Sequence, residues 1–180
     1  MLHLILGPMF SGKSTRLIYH IRQFKTLDYP LCIVKPDIDK RYSANEICTH
    51  NLDKEPCHVL AIDSLPDIFN LPEYKTAKVV MIEEAQFFNH LLPTIQTMLD
   101  IDKKIIYITA LNGDSNRNVF GDIPLLLPLC YHIDFLHALC QYCKDGTPAI
   151  YSKRNSHDDT QIKVAGKDVY EAVCLNHFFN

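Results

Sequence analysis

With 180 residues, 47% of them hydrophobic and 22% charged, the chain suits one globular domain with room for a small appendage and is not a disordered or low-complexity protein. A net charge of −3 provides no general basic surface, which argues against nucleic acid as a partner. The longest apolar run, "IPLLLPLC", is far short of the ~20 residues of a membrane-spanning helix, and no charged leader precedes the first strand. The expectation is therefore a cytoplasmic protein with no membrane partner. In chain order, Leu2, Leu4, Ile5 and Leu6 predict a buried strand, and Leu17, Ile18, Ile21 and Phe24 mark one face of a helix reaching about Lys25. "LCIVKP", "KVVMIEE" and "KIIYITA" predict further strands, and residues 91–99 a helix. Alternating β and α elements predict an α/β fold, a parallel sheet flanked by helices, with ligands at the carboxyl ends of its strands. Those ends carry the glycine loop, "KPDIDKRY", "EEAQFF" and "LNGDSNR", which should form one site. After about Leu136 the composition shifts to Cys, His and turn residues, with "KDGTP" as a turn and "AIYSKR" and "QIKVAG" as short strands. This divides the chain into residues 1–136 and a smaller lobe, 137–180.

Residues 7–14 (Gly7, Pro8, Met9, Phe10, Ser11, Gly12, Lys13 and Ser14) fit G-x-x-x-x-G-K-[ST] between a strand and a helix. In that context backbone N–H groups cradle phosphates, Lys13 reaches the β- and γ-phosphates of ATP, and the Ser14 hydroxyl ligates Mg²⁺. The rival reading is a plain glycine turn. "KVVMIEE" ends an apolar strand in two carboxylates that the pleat sends to opposite sides. Glu83 is assigned to the water shell of the metal and Glu84 to the acceptor hydroxyl as general base; a solvated strand end is the alternative. "KPDIDKRY" reads equally as a polar loop or as a site segment, with Arg41, next to Lys40, clamping phosphates and Asp39 in the magnesium or hydroxyl network. Lys153 and Arg154 of "YSKR" are similarly open between surface charge and phosphate clamp.

Cys140 and Cys143 form C-x-x-C, and Cys174 and His177 form C-x-x-H. Two such pairs supply four ligands for a structural Zn²⁺ that would clamp a segment too small to hold itself by burial. A redox dithiol is the rival, disfavoured because "CKDGTP" opens a turn rather than a helix. Cys32, Cys48, Cys57 and Cys130 show no pairing logic, and His3, His20, His58 and His90 no ligand spacing. These residues alone describe an ATP-using enzyme with a zinc-pinned lid.

Taken together, "LILGPMFSGKST", "DIDKRYSANEICTH", "IEEAQFF", "ITALNGDSNRNVFG", "CQYC", "YSKR" and "VAGKDVYEAVCLNH" resemble the type II, zinc-containing thymidine kinases across nearly the whole chain. The resemblance implies a P-loop NTPase-like sheet that transfers the γ-phosphoryl of ATP to the 5′-hydroxyl of thymidine, with deoxyuridine as a second acceptor. It makes Glu84 the general base and Glu83 the Walker-B acid, where the family more often has Asp, and sets Gln86 among the nucleotide-binding residues. It implies a zinc-pinned lasso loop in which the backbone of Gln161, Ile162, Lys163, Val164 and Ala165 holds the thymine. Tyr170 would line the base and sugar pocket, Met9, Phe87, Leu111 and Ser152 would surround the methyl group, and Phe120 would lie nearby. Ser115 stands where the family usually has phenylalanine, Asn112 replaces an acid, and Ala165 replaces the first glycine of a pair. A homotetramer and dTTP as feedback ligand complete what the resemblance implies. Two other readings use the same residues: an ATPase or other small-molecule kinase, and a nucleotide-dependent binding module without turnover. The absence of N-K-x-D disfavours a GTPase.

Overall fold

The computed structural model describes residues 1–40, 43–49, 51–155, 160–166 and 168–180. The elements run β1 (Leu2–Leu6), α1 (Lys13–Lys25), β2 (Leu31–Pro36), β3 (Glu46–Cys48), β4 (Lys54–Pro56), β5 (His58–Leu60), α2 (Pro72–Thr76), β6 (Val79–Ile82), α3 (Leu91–Asp100) and β7 (Ile105–Ala110). They continue with β8 (Cys130–Phe135), β9 (Ala138–Leu139), β10 (Pro148–Ala149), β11 (Tyr151–Arg154), β12 (Tyr170–Val173) and α4 (Leu175–Phe179).

Six strands form one sheet in the order β5-β2-β6-β7-β1-β8, with every pairing parallel. Val34, Ile82, Ile108 and Leu4 lie in register across the four central strands, all fully buried. Alternation sends Leu2, Leu4, Val80, Ile82, Ile106 and Ile108 to the face packed by Leu91, Ile95 and Met98 of α3. Ile5, Ile33, Val79 and Met81 point the other way, against Leu17, Ile18 and Ile21 of α1. Burial on both faces is why these strands read as continuous apolar runs.

The edge strands are less visible in the sequence. β5 has three residues, and β8 joins β1 across a register shift between Leu2 and His3, leaving Tyr131, Ile133 and Phe135 exposed. Every residue of β8 is exposed or half-buried, so polar residues mix into "CYHIDF" and no apolar run announces it. "IPLLLPL" forms a 3₁₀ turn that sends Ile123 and Leu126 into the core while Leu125 and Leu127 stay exposed.

Beyond the sheet, β9 pairs with β10 and β11 with β12, both antiparallel. The expected strand over "QIKVAG" does not form: residues 161–166 are irregular, and β11 takes Tyr170–Val173 as its partner instead. Arg41 lies outside the described residues. Among the described residues, no helix is long and apolar enough to cross a membrane.

Candidate active site

The turn after β1 is shaped by backbone that few residues tolerate. A Cβ at Gly7 would lie 2.6 Å from the carbonyl oxygen of Leu136, and Gly12 sits at φ 85°, so glycine is required at both. Lys13 is buried and its Nζ donates to the Pro8 carbonyl at 2.8 Å, an oxygen that also accepts the Ser11 hydroxyl at 2.8 Å. α1 has no acidic residue in its first turn, so its positive end is left uncompensated toward an anion. Beside it opens a cavity of about 510 Å³, bordered by Gly12, Lys13, Ser14, Asp39, Glu83 and Glu84. That volume is in the range of small-ligand sites, ~300–1,000 Å³. Lys40 is exposed and lies off this border.

Glu83 follows β6 directly. Its carboxylate accepts the hydroxyls of Ser14 and Thr109, one on each oxygen. Burial, then the neighbouring Glu84 charge, pushes Glu83 up to about 7 despite those hydroxyls. Glu84 turns away because its backbone is left-handed, at φ 50°, rather than because of the strand pleat. Its N–H donates to Thr109 Oγ1 at 3.1 Å, and its Oε2 accepts Gln86 Nε2 at 2.6 Å. The Gln86 Oε1 in turn accepts the Leu111 N–H at 3.2 Å. Gln86 therefore contacts Glu84 and borders neither cavity. Thr109, fully buried and bonded to both glutamates, is missed by the sequence reading; its signal is a hydroxyl closing an otherwise apolar strand.

A second cavity, of about 30 Å³, adjoins the first, with Met9 and Glu84 bordering both. Every residue that the resemblance assigns to the nucleoside pocket borders it except Ile162, whose side chain is exposed. Asp114 borders it too, unforeseen. Phe87 and Phe120 meet edge to face with centroids 5.4 Å apart, and Ser152 Oγ accepts the Met9 N–H at 2.9 Å, tying β11 to the glycine loop. Arg154 borders neither cavity. Its guanidinium donates to the Tyr170 hydroxyl at 2.8 Å and the Thr160 carbonyl at 2.7 Å, while that hydroxyl donates to the Lys163 carbonyl at 2.9 Å. Lys153 Nζ donates to the carbonyls of His177 and Asn180 at the chain's end.

The ligating atoms of Cys140, Cys143, Cys174 and His177 lie within 4.8 Å of one another. Cys143 and Cys174 sulfurs are 3.8 Å apart, and His177 Nδ1 is 3.3–3.5 Å from the three sulfurs. A tetrahedral Zn²⁺ with Zn–S of ~2.3 Å and Zn–N of ~2.0–2.1 Å has edges of about 3.8 and 3.6 Å, so the set fits the ion. Burial opposes ionisation of Cys140, but backbone N–H groups of Cys174, Cys143 and Tyr142 bring its thiol down to about 6, toward the ligating thiolate.

A model of the thymidine kinase family matches residues 1–178. The chain belongs to the thymidine kinase family. Among its relatives, the thymidine kinase of rabbit fibroma virus (strain Kasza) is 37% identical over 180 residues, 99% of this chain and 96% of the viral protein. Thymidine kinase a of Arabidopsis thaliana is 34% identical over 177 residues, covering 98% of this chain and 74% of the plant protein. The thymidine kinase of Oryza sativa subsp. japonica is 33% identical over 181 residues, 99% of this chain, which spans 66% of the rice protein. The thymidine kinase family consists of ATP-dependent kinases, and this chain is one of its members.

Proposed function

We propose that this protein transfers the γ-phosphoryl group of ATP to the 5′-hydroxyl of thymidine, and of deoxyuridine, to give the nucleoside monophosphate. The observation that carries the reading is Glu84, among the described residues the one carboxylate that borders both the large cavity and the small one. A base at that junction is within reach of a hydroxyl on one side and of a phosphoryl group on the other. In this scheme Lys13 and the N–H groups of the glycine loop hold the β- and γ-phosphates, and Glu84 takes the 5′-hydroxyl proton. Thr109 holds the Glu84 backbone N–H and Gln86 its carboxylate, which together keep the carboxylate aimed. Ser14, Glu83 and Asp39 are the oxygen donors that would hold Mg²⁺, which when bound neutralises charge on the phosphate oxygens. The thymine would be read by the backbone of residues 161–165, so that an N–H aimed at its 4-keto group opposes the amino group of cytosine. Each buried donor left unsatisfied costs about 1–3 kcal/mol, which favours thymidine over deoxycytidine. Residues 1–136 then bind nucleotide and 137–180 form the zinc lobe with the lasso loop. A homotetramer in the cytoplasm, with dTTP as feedback ligand, belongs to the same proposal.

The test is a panel of deoxynucleosides with ATP and Mg²⁺, read as monophosphate formed. Thymidine and deoxyuridine should be converted and purine deoxynucleosides should not. Phosphate release indifferent to added nucleoside would replace the kinase by an ATPase. Comparable turnover of deoxycytidine and thymidine would refute the backbone reading of the base.

A further inference from the structure

The small cavity holds no more than a few water molecules at about 30 Å³, whereas sites for drug-sized ligands have ~300–1,000 Å³. Gln161, Lys163, Val164 and Ala165 of the irregular segment 160–166 form one wall of it, so displacing this segment would enlarge the cavity toward nucleoside size. Among the described residues, a side-chain pair joins the segment to the opposite wall, the loop that follows β7. Gln161 Nε2 donates to Asp114 Oδ2 at 2.9 Å and to the Val119 carbonyl at 2.9 Å, which directs its amide at that loop. Asp114 is buried and its other oxygen accepts the N–H groups of Asn116, at 2.9 Å, and Asn118, at 2.7 Å. The acceptor is therefore held by its own turn, while the donor belongs to a segment without regular secondary structure.

We propose that Asp114 and Gln161 form a latch that holds the segment closed over the nucleoside pocket and thereby sets nucleoside affinity. Both are positioning residues. The inference deepens the reading of the pocket given above and names the contact that controls it. A protein that must be closed to hold its ligand has an apparent affinity scaled by the fraction closed, so a broken latch lowers that affinity even where every contact with the nucleoside survives.

Gln161→Glu sets two carboxylates against each other. Asp114→Asn combined with Gln161→Glu restores a donor facing an acceptor within the side-chain pair, preserves its charge and lets the oxygen of the introduced amide keep the backbone N–H groups, while the Val119 carbonyl loses its donor in both variants. Two measurements on the full chain apply: trypsin cleavage of the Lys163–Val164 bond without nucleoside, followed by mass spectrometry, and thymidine affinity by calorimetry. Gln161→Glu should accelerate cleavage about tenfold and weaken thymidine by up to about tenfold, and the double variant should return both to within about threefold of the parent. Cleavage and affinity unchanged in Gln161→Glu would overturn the latch, as would a double variant no better than the single one. A parent protein that binds no thymidine would instead defeat the proposed substrate, and the cleavage rates would still decide the latch.

Discussion

Around the sheet, the fully buried side chains are mainly Leu, Ile, Val and Met, whereas residues 138–180 enclose Ala138, Cys140, Ala149, Ala172, Val173 and Cys174. Burying a Leu, Ile, Val or Met side chain contributes about 1.5–3 kcal/mol, and alanine far less. The first region can therefore hold its shape by burial. Among its described residues the second has one branched aliphatic in its core, and it gathers four atoms able to ligate a metal instead. Yet this weakly cored region supplies half of the smaller cavity, through Ser152, Tyr170 and segment 160–166, and receives Phe10 of the glycine loop against its core. Chemistry and shape are thus divided: carboxylates and glycine loop stand on the well-buried part, and the proposed nucleoside pocket depends on the part that lacks burial of its own.

Removing the Zn²⁺ that the cluster would hold tests this contrast most severely. Structural Zn²⁺ sites in small modules contribute about 10–16 kcal/mol of apparent binding free energy near neutral pH. Purified protein should carry one Zn²⁺ per chain, and Cys174→Ser should lose it together with nucleoside binding. Helical circular dichroism should largely survive, because α1 and α3 pack on the sheet. Full order and full metal content in Cys174→Ser would break the comparison.

Glu84→Gln probes the opposite side. It preserves the size and hydrogen-bonding capacity of a residue that belongs to the sheet region, so melting temperature and zinc content should hold while kcat falls about 10²–10⁴-fold. The contrast fails if the variant retains more than about a tenth of the parent kcat with chemistry limiting, or if its zinc is lost.

Smaller again is the joint between the regions. Ser152→Ala strands the buried Met9 N–H, at a cost of about 1–3 kcal/mol. The expected signature is a lower melting temperature and a higher KM for both substrates at unchanged zinc content. Normal KM values would mean that the glycine loop holds itself without β11.

The fold was legible where burial is two-sided or spacing is local. β1, β2, β6 and β7 announce themselves as apolar runs, and the Cys140/Cys143 and Cys174/His177 pairs announce the cluster that the fold assembles. The edge strand β8 was hidden because none of its residues is buried, and "QIKVAG" imitated a strand although, among the described residues, no neighbour pairs with it.

The sequence by itself determined that a parallel sheet forms, that glycines stand where the turn after β1 demands them, and that two carboxylates close β6. Each is a matter of local periodicity or backbone sterics, readable within a few residues. Only the tertiary structure decided that Thr109 touches both glutamates from 25 and 26 residues away, that Glu84 reaches two cavities through a left-handed turn, and that Asp114 meets Gln161 across 47 residues. Such pairings depend on how the ends of separate strands and loops converge, and no periodicity in the chain encodes a contact between them.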